Sequence, residues 1–108
     1  MSTTKHTPDT AETVEIRTKD HSYGIFCYNS RGDLFLSSDW GMYGFSWRSF
    51  GQDGFREFLK QINAEYVYGK FELNYRYLTS KPLPKHCREH VEALIKEFVK
   101  YLNQPVTI

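Results

Sequence analysis

The sequence predicts an α+β fold: a four-stranded antiparallel meander with two to three helices packed on one face. Three observations carry this expectation. Apolar residues alternate with period two up to about residue 48. From Phe55 onward they recur at helical spacing instead. Turn-forming residues punctuate the first half at short intervals, which favours hairpins over long crossovers. Strands in succession and then helices in succession call for segregated layers.

Residues 1–12 contain no large apolar side chain after Met1, so burial cannot offset their ordering entropy; they read as a flexible tail. Residues 13–104 read as a single domain. Thr13 to Lys19 alternates Val14, Ile16 and Thr18 against Glu15, Arg17 and Lys19, the pattern of a half-exposed strand. Tyr23 to Asn29 is a second, more apolar strand. Ser30-Arg31-Gly32-Asp33 is the turn after it, with Gly32 supplying a positive φ. Leu34 to Ser38 and Tyr43 to Arg48 are strands three and four, joined through Asp39-Trp40-Gly41. On the fourth strand Tyr43, Phe45 and Trp47 share one face, while Gly44, Ser46 and Arg48 form a face too small and polar for a core.

The stripe Phe55, Phe58, Leu59, Ile62, Tyr66 marks a helix from Gly54 to Ile62, with Asp53 as its N-cap. Asn63 caps a second, short helix that ends near Gly69. Residues 70–80 fit either period: Phe71, Leu73, Tyr75 and Tyr77 alternate, yet Val67, Phe71, Tyr75 and Leu78 share a helical face. After Lys81-Pro82-Leu83-Pro84, the residues Cys87, Val91, Leu94, Ile95, Phe98, Tyr101 and Leu102 trace one face of a last helix. Asn103 and Pro105 stop it.

Composition narrows function more by exclusion than by assignment. In 108 residues there is room for one core, and 17% aromatics supply ample apolar area. Net charge is +1, which disfavours a chain built to wrap a polyanion. Residues 1–55 hold five Lys and Arg against seven Asp and Glu, and residues 56–108 hold nine against six, so the C-terminal half is mildly basic. Two cysteines far apart do not make a disulfide framework. With no apolar span and no signal-peptide core, the expected location is the cytoplasm.

No constellation passes as catalytic, and the expectation is that the chain is not an enzyme. Asp33 and Asp39 sit at opposite ends of one strand, roughly 20 Å apart at strand rise. No serine stands in a Gly-x-Ser-x-Gly elbow, and the glycines match no phosphate-binding loop. His86, Cys87 and His90 bring zinc to mind. Cys87, however, begins the apolar stripe, about 100° round the helix from His86, and a fourth ligand would have to come from Cys27, His6, His21 or an acid. No metal and no cofactor are expected.

Two surface features remain. Lys81, Lys85, His86 and Arg88 crowd the start of the last helix, where cations oppose the dipole at a cost of about 0.3–1 kcal/mol each. An anion docking there would relieve that cost. Aromatics are also in surplus, so that Phe26, Phe35 or the group Tyr66, Tyr68, Tyr75 and Tyr77 is expected to reach the surface. Exposed tyrosines suit protein interfaces and can stack bases. The expected binding surface is therefore Tyr66, Tyr68, Tyr75, Tyr77, Lys81, Lys85, His86 and Arg88.

The run Gly32-Asp33-Leu34-Phe35-Leu36-Ser37-Ser38-Asp39-Trp40-Gly41-Met42-Tyr43, continued by Phe45-Ser46-Trp47 and by Phe58-Leu59 and Ile62-Asn63, resembles a family of small phage- and prophage-encoded proteins. That family shares an Asp-Trp/Tyr-Gly-x-Tyr-x-(Phe/Tyr)-x-Trp hairpin followed by a Phe-Leu helix. The resemblance covers about residues 32–70 and brings no catalytic residues with it. It implies a phage or mobile-element accessory protein that binds a bacterial host protein, or a protein–nucleic-acid complex, stoichiometrically. Inhibition of a host defence complex, of anti-CRISPR or anti-restriction type, is the mode it suggests. The alternative is a nucleic-acid-binding module using Tyr and Lys/Arg of the C-terminal half. Homodimerisation through an aromatic sheet edge is left open by the sequence.

Overall fold

A computed structural model describes residues 4–20 and 22–105. Four strands come first, β1 (Ala11–Arg17), β2 (Tyr23–Asn29), β3 (Asp33–Ser38) and β4 (Gly41–Ser46). Three helices follow, α1 (Phe55–Gln61), α2 (Ala64–Thr79) and α3 (Lys85–Leu102). The strands pair antiparallel in the order β1-β2-β3-β4, the expected meander.

Alternation along the strands decides which face is covered. Val14, Ile16, Phe26, Tyr28, Leu34, Leu36 and Tyr43 point to one side and are buried. There α3 lies on β1 and β2, and α2 on β4. The core closes when Val91, Leu94, Ile95 and Phe98 of α3 and Val67 and Phe71 of α2 meet that face. Phe26 stacks on Phe98 with ring centres 4.3 Å apart, and Tyr28 meets both Phe98 and Phe55 edge-on. Phe26 is therefore a core residue and not one of the aromatics that reach the surface.

Several boundaries differ from the sequence reading, each for a local reason. β1 starts at Ala11, inside the segment read as a tail, because it pairs along its whole length with β2, from Ala11 opposite Asn29 to Arg17 opposite Tyr23. Glu12 accepts a hydrogen bond from the Tyr28 hydroxyl at 2.8 Å. Asp9, just ahead of the strand, pairs with Arg31 at 3.2 Å. Residues 1–3 of the expected tail lie outside the described residues. β4 begins two residues early, since Ser38 already pairs with Gly41 across the Asp39-Trp40 turn.

The β2–β3 turn closes as the sequence expects. Asn29 Oδ1 accepts from the Arg31 and Asp33 backbone N–H groups, at 2.9 and 3.2 Å. Gly32 has φ of 100°, and an added Cβ would overlap the Trp47 carbonyl oxygen.

The helices bring two corrections. Asp53 does not cap α1; the N-cap is Gly54 at φ 95°, and no side chain bonds to the first turn. Nor does α2 end near Gly69. Asn63 does cap it, accepting from the Tyr66 N–H at 2.8 Å, but the helix runs 16 residues to Thr79. Helical period wins over residues 70–79 because it sets Val67, Phe71 and Tyr75 against the core and turns Leu73 and Tyr77 to solvent, whereas period two would have placed all five on one face. α2 ends at Ser80, whose φ of 59° is the left-handed cap conformation.

Candidate functional site

The uncovered face of the sheet is not polar throughout. Ile25 and Cys27 of β2, Phe35 of β3 and Met42 of β4 all project there, and Gly44 provides a gap between them. Phe35 lies across that gap: a Cβ added at Gly44 would come within 2.7 Å of its ring. Aromatic cover of a cross-strand glycine is a recurring sheet device. Here it leaves much of the ring in water, with Phe35 53% and Met42 77% exposed.

An apolar groove of about 460 Å³ continues from this patch. Ile25, Cys27, Phe35 and Met42 line it from the open face, and Tyr43, Phe71, Tyr75 and Leu78 from the helix side. Strand alternation separates these two sets, so the groove turns around the free edge of β4 at Gly44. Leu78 stands on its rim, 72% exposed. Ser37, Asn74 and Thr79 add polar groups beside the Tyr43 and Tyr75 hydroxyls, and among the described residues no charged side chain lines it. Burial pushes the Tyr43 hydroxyl up to about 12, with Cys87 adding to the effect. That hydroxyl donates to the Trp40 carbonyl oxygen. The groove suits an apolar, uncharged occupant.

Of the eight residues expected to form a binding surface, the four tyrosines of α2 divide between two faces. Tyr66 and Tyr77, three turns apart, face solvent, while Tyr68 and Tyr75, two turns apart, face inward. Tyr68 is a core residue and offers no surface, which corrects its placement among the contacts. Tyr66 accepts a hydrogen bond from the Trp47 indole N–H at 3.1 Å. Tyr75 packs against Tyr43 and lines the groove.

Lys81, Lys85, His86 and Arg88 are exposed at the start of α3, where Pro84 gives no side-chain cap and the first turn holds no acid. Arg88 is already engaged, bonded to Glu92 at 2.7 Å and lying over the Tyr68 ring at 5.1 Å.

His86, Cys87 and His90 diverge. Cys87 is buried, His86 is exposed, and His90 turns to the β1–β2 turn. His21 lies outside the described residues. Among the described residues, no three or more His, Cys, Asp or Glu side chains gather as ligands.

His90 instead belongs to a cluster with no spacing signal in the sequence, since its members come from three distant segments. Its ring stacks on Trp40 at 3.9 Å, nearly parallel. Its Nδ1 lies 3.2 Å from Ser22 Oγ and 3.3 Å from Asp20 Oδ2, and the Trp40 indole donates to Ser22 Oγ at 3.3 Å. Serine, histidine and aspartate together suggest acyl-transfer chemistry, but a relay needs the two partners on opposite ring nitrogens. Here both approach the same one, and Ser22 is buried. The cluster ties α3 to two turns of the sheet. Asp20 is held down at about 2, chiefly by the Thr18 hydroxyl, then by Ser22 and by His90.

The fold and the groove define a small α+β protein with an apolar recess at one sheet edge. A family model of phage proteins, the Phage family Phage_phiTE_072, matches residues 1–104, and the chain belongs to that family. No curated protein and no solved structure matches it. The phage assignment expected from residues 32–70 thus stands on almost the whole chain. Among the described residues, no helix is long and apolar enough to cross a membrane.

Proposed function

We propose that this phage protein acts by stoichiometric binding to a bacterial host protein, taking an apolar, uncharged segment of that partner into the groove at β4. The observation that carries the reading is the groove itself: an apolar recess of about 460 Å³, free of lining charge and rimmed by exposed Met42 and Leu78. Exposed apolar surface in one continuous patch costs solubility, and its usual reason is a partner. The edge position of β4 adds backbone N–H and C=O groups that an extended segment can pair with.

Interference with a host defence complex, in the cytoplasm of the infected cell, is the biological role that a phage accessory protein of this kind fits. Catalysis is not part of the proposal. Of the expected contact residues, Tyr75 stays in the site. The basic start of α3 lies outside the groove, and direct nucleic-acid binding becomes an outcome of the test.

Affinity capture of the tagged chain from bacterial lysate, with and without nuclease, tests this. The expected result is one host protein at fixed stoichiometry, unaffected by nuclease and lost with Met42→Glu or Leu78→Glu. Both positions are exposed, so the substitutions leave the core intact. Recovery of nucleic acid alone, lost on nuclease treatment and weakened by Lys85→Glu with Arg88→Glu, would replace the proposal with the nucleic-acid reading.

A further inference from the structure

Helix α2 is more apolar on its solvent side than a solvated helix needs to be. Tyr66, Leu73 and Tyr77 are spaced by seven and then four residues, which sets them on one face. That face is opposite the one that buries Val67, Phe71 and Tyr75. Leu73 is 58% and Tyr77 85% exposed.

Gly69 interrupts the same face. A Cβ built there meets nothing within 4 Å, so the chain's own packing gives no reason for a glycine. Within a helix glycine is less stable than alanine, and its compensating use is close approach by another backbone. Glu65 and Arg76, eleven residues apart, lie together on one flank of the stripe. Glu65 has a loose contact with Arg88 at 3.9 Å. On the other flank Lys70 lies over the Phe45 and Tyr66 rings, 5.4 Å from each.

We propose that α2 pairs antiparallel with α2 of a second copy of this chain, Leu73 of each filling the notch at Gly69 of the other. Two-fold symmetry makes the assignment specific. In an antiparallel pair about such an axis, each flank meets the same flank of its mate. With the axis at the level of Phe71, Leu73 and Gly69 are equidistant from it along the chain, and Glu65 and Arg76 nearly so. Leu73 then stands opposite the glycine notch, and Glu65 opposite Arg76, twice over. A parallel pair would bring glycine to glycine and leave the notch empty. The groove-lining Phe71, Tyr75 and Leu78 are on another side of α2, so the dimer leaves the groove open and the two proposals fail separately.

Sedimentation equilibrium of the full chain over a range of concentrations tests the pairing. The wild type is expected to show a monomer–dimer equilibrium. Glu65→Arg and Arg76→Glu, each placing like charges across the axis, are expected to weaken it about tenfold or more. An equimolar mixture of the two variants is expected to recover a heterodimer, because each charge then meets its opposite. A wild type that stays monomeric overturns the proposal. So do single variants that dimerise as the wild type does, or a mixture that fails to recover the dimer.

Discussion

At the scale of single residues, the account rests on side chains whose surroundings contradict their type. Met42 and Leu78 are apolar and exposed; Ser22 is polar and buried. The sequence announces the first kind only ambiguously, because a leucine at position 78 fits a core stripe as well as a surface. It announces the second kind not at all. Ser22 is satisfied by His90 and Trp40, 68 and 18 residues away, and nothing local encodes such a meeting.

Asp20 gives this cluster a measurable signature. Its pKa falls from 3.8 to about 2 in the folded chain, through the Thr18 hydroxyl first. A depressed carboxylate contributes stability that is complete above its unfolded value and is lost as pH falls through the folded one. In urea titrations the stability gap between wild type and Asp20→Asn should be constant above about pH 4 and shrink towards pH 2. A gap unchanged across that window would show that the carboxylate is not held by these partners.

At the scale of elements, the strands were legible because the meander leaves one face in water, and period-two alternation survives in the residues. β2, Tyr23 to Asn29, is read to its ends differently, as a short apolar run closed by the turn residues after it. The helices were legible where one stripe dominates, as in α3, and misread where a second signal competed. Gly69 looked like a stop, yet it lies on the exposed side of α2, where absence of a side chain breaks no packing.

Caps separate two asparagine-like positions that a sequence cannot distinguish. Asn63 bonds to the Tyr66 N–H, and Asp53 bonds to no helix N–H. Asn63→Ala should therefore cost about 0.5–2 kcal/mol in chemical denaturation, and Asp53→Ala should stay within about 0.5 kcal/mol. Equal losses at the two positions would mean that α1 is capped after all.

At the scale of the whole molecule, the helices cover one face of the sheet and leave the other to end in an apolar recess around β4. The sequence foretold the surplus of aromatics but not where it would surface. It pointed to tyrosines of α2 and the basic start of α3, whereas the three-dimensional recess draws on β2, β3, β4 and α2 together. No single segment carries enough of it to be read alone: Ile25, Phe35 and Met42 each look like ordinary strand residues until the sheet sets them side by side.

Hydrogen–deuterium exchange on the protein captured with its host partner tests the central claim most directly. Occupation of the groove predicts slowed exchange in two segments, 35–44 and 71–79, relative to the free chain. Protection confined to 81–88, with the β4 edge exchanging as in the free protein, would contradict it and move the contact to the basic start of α3.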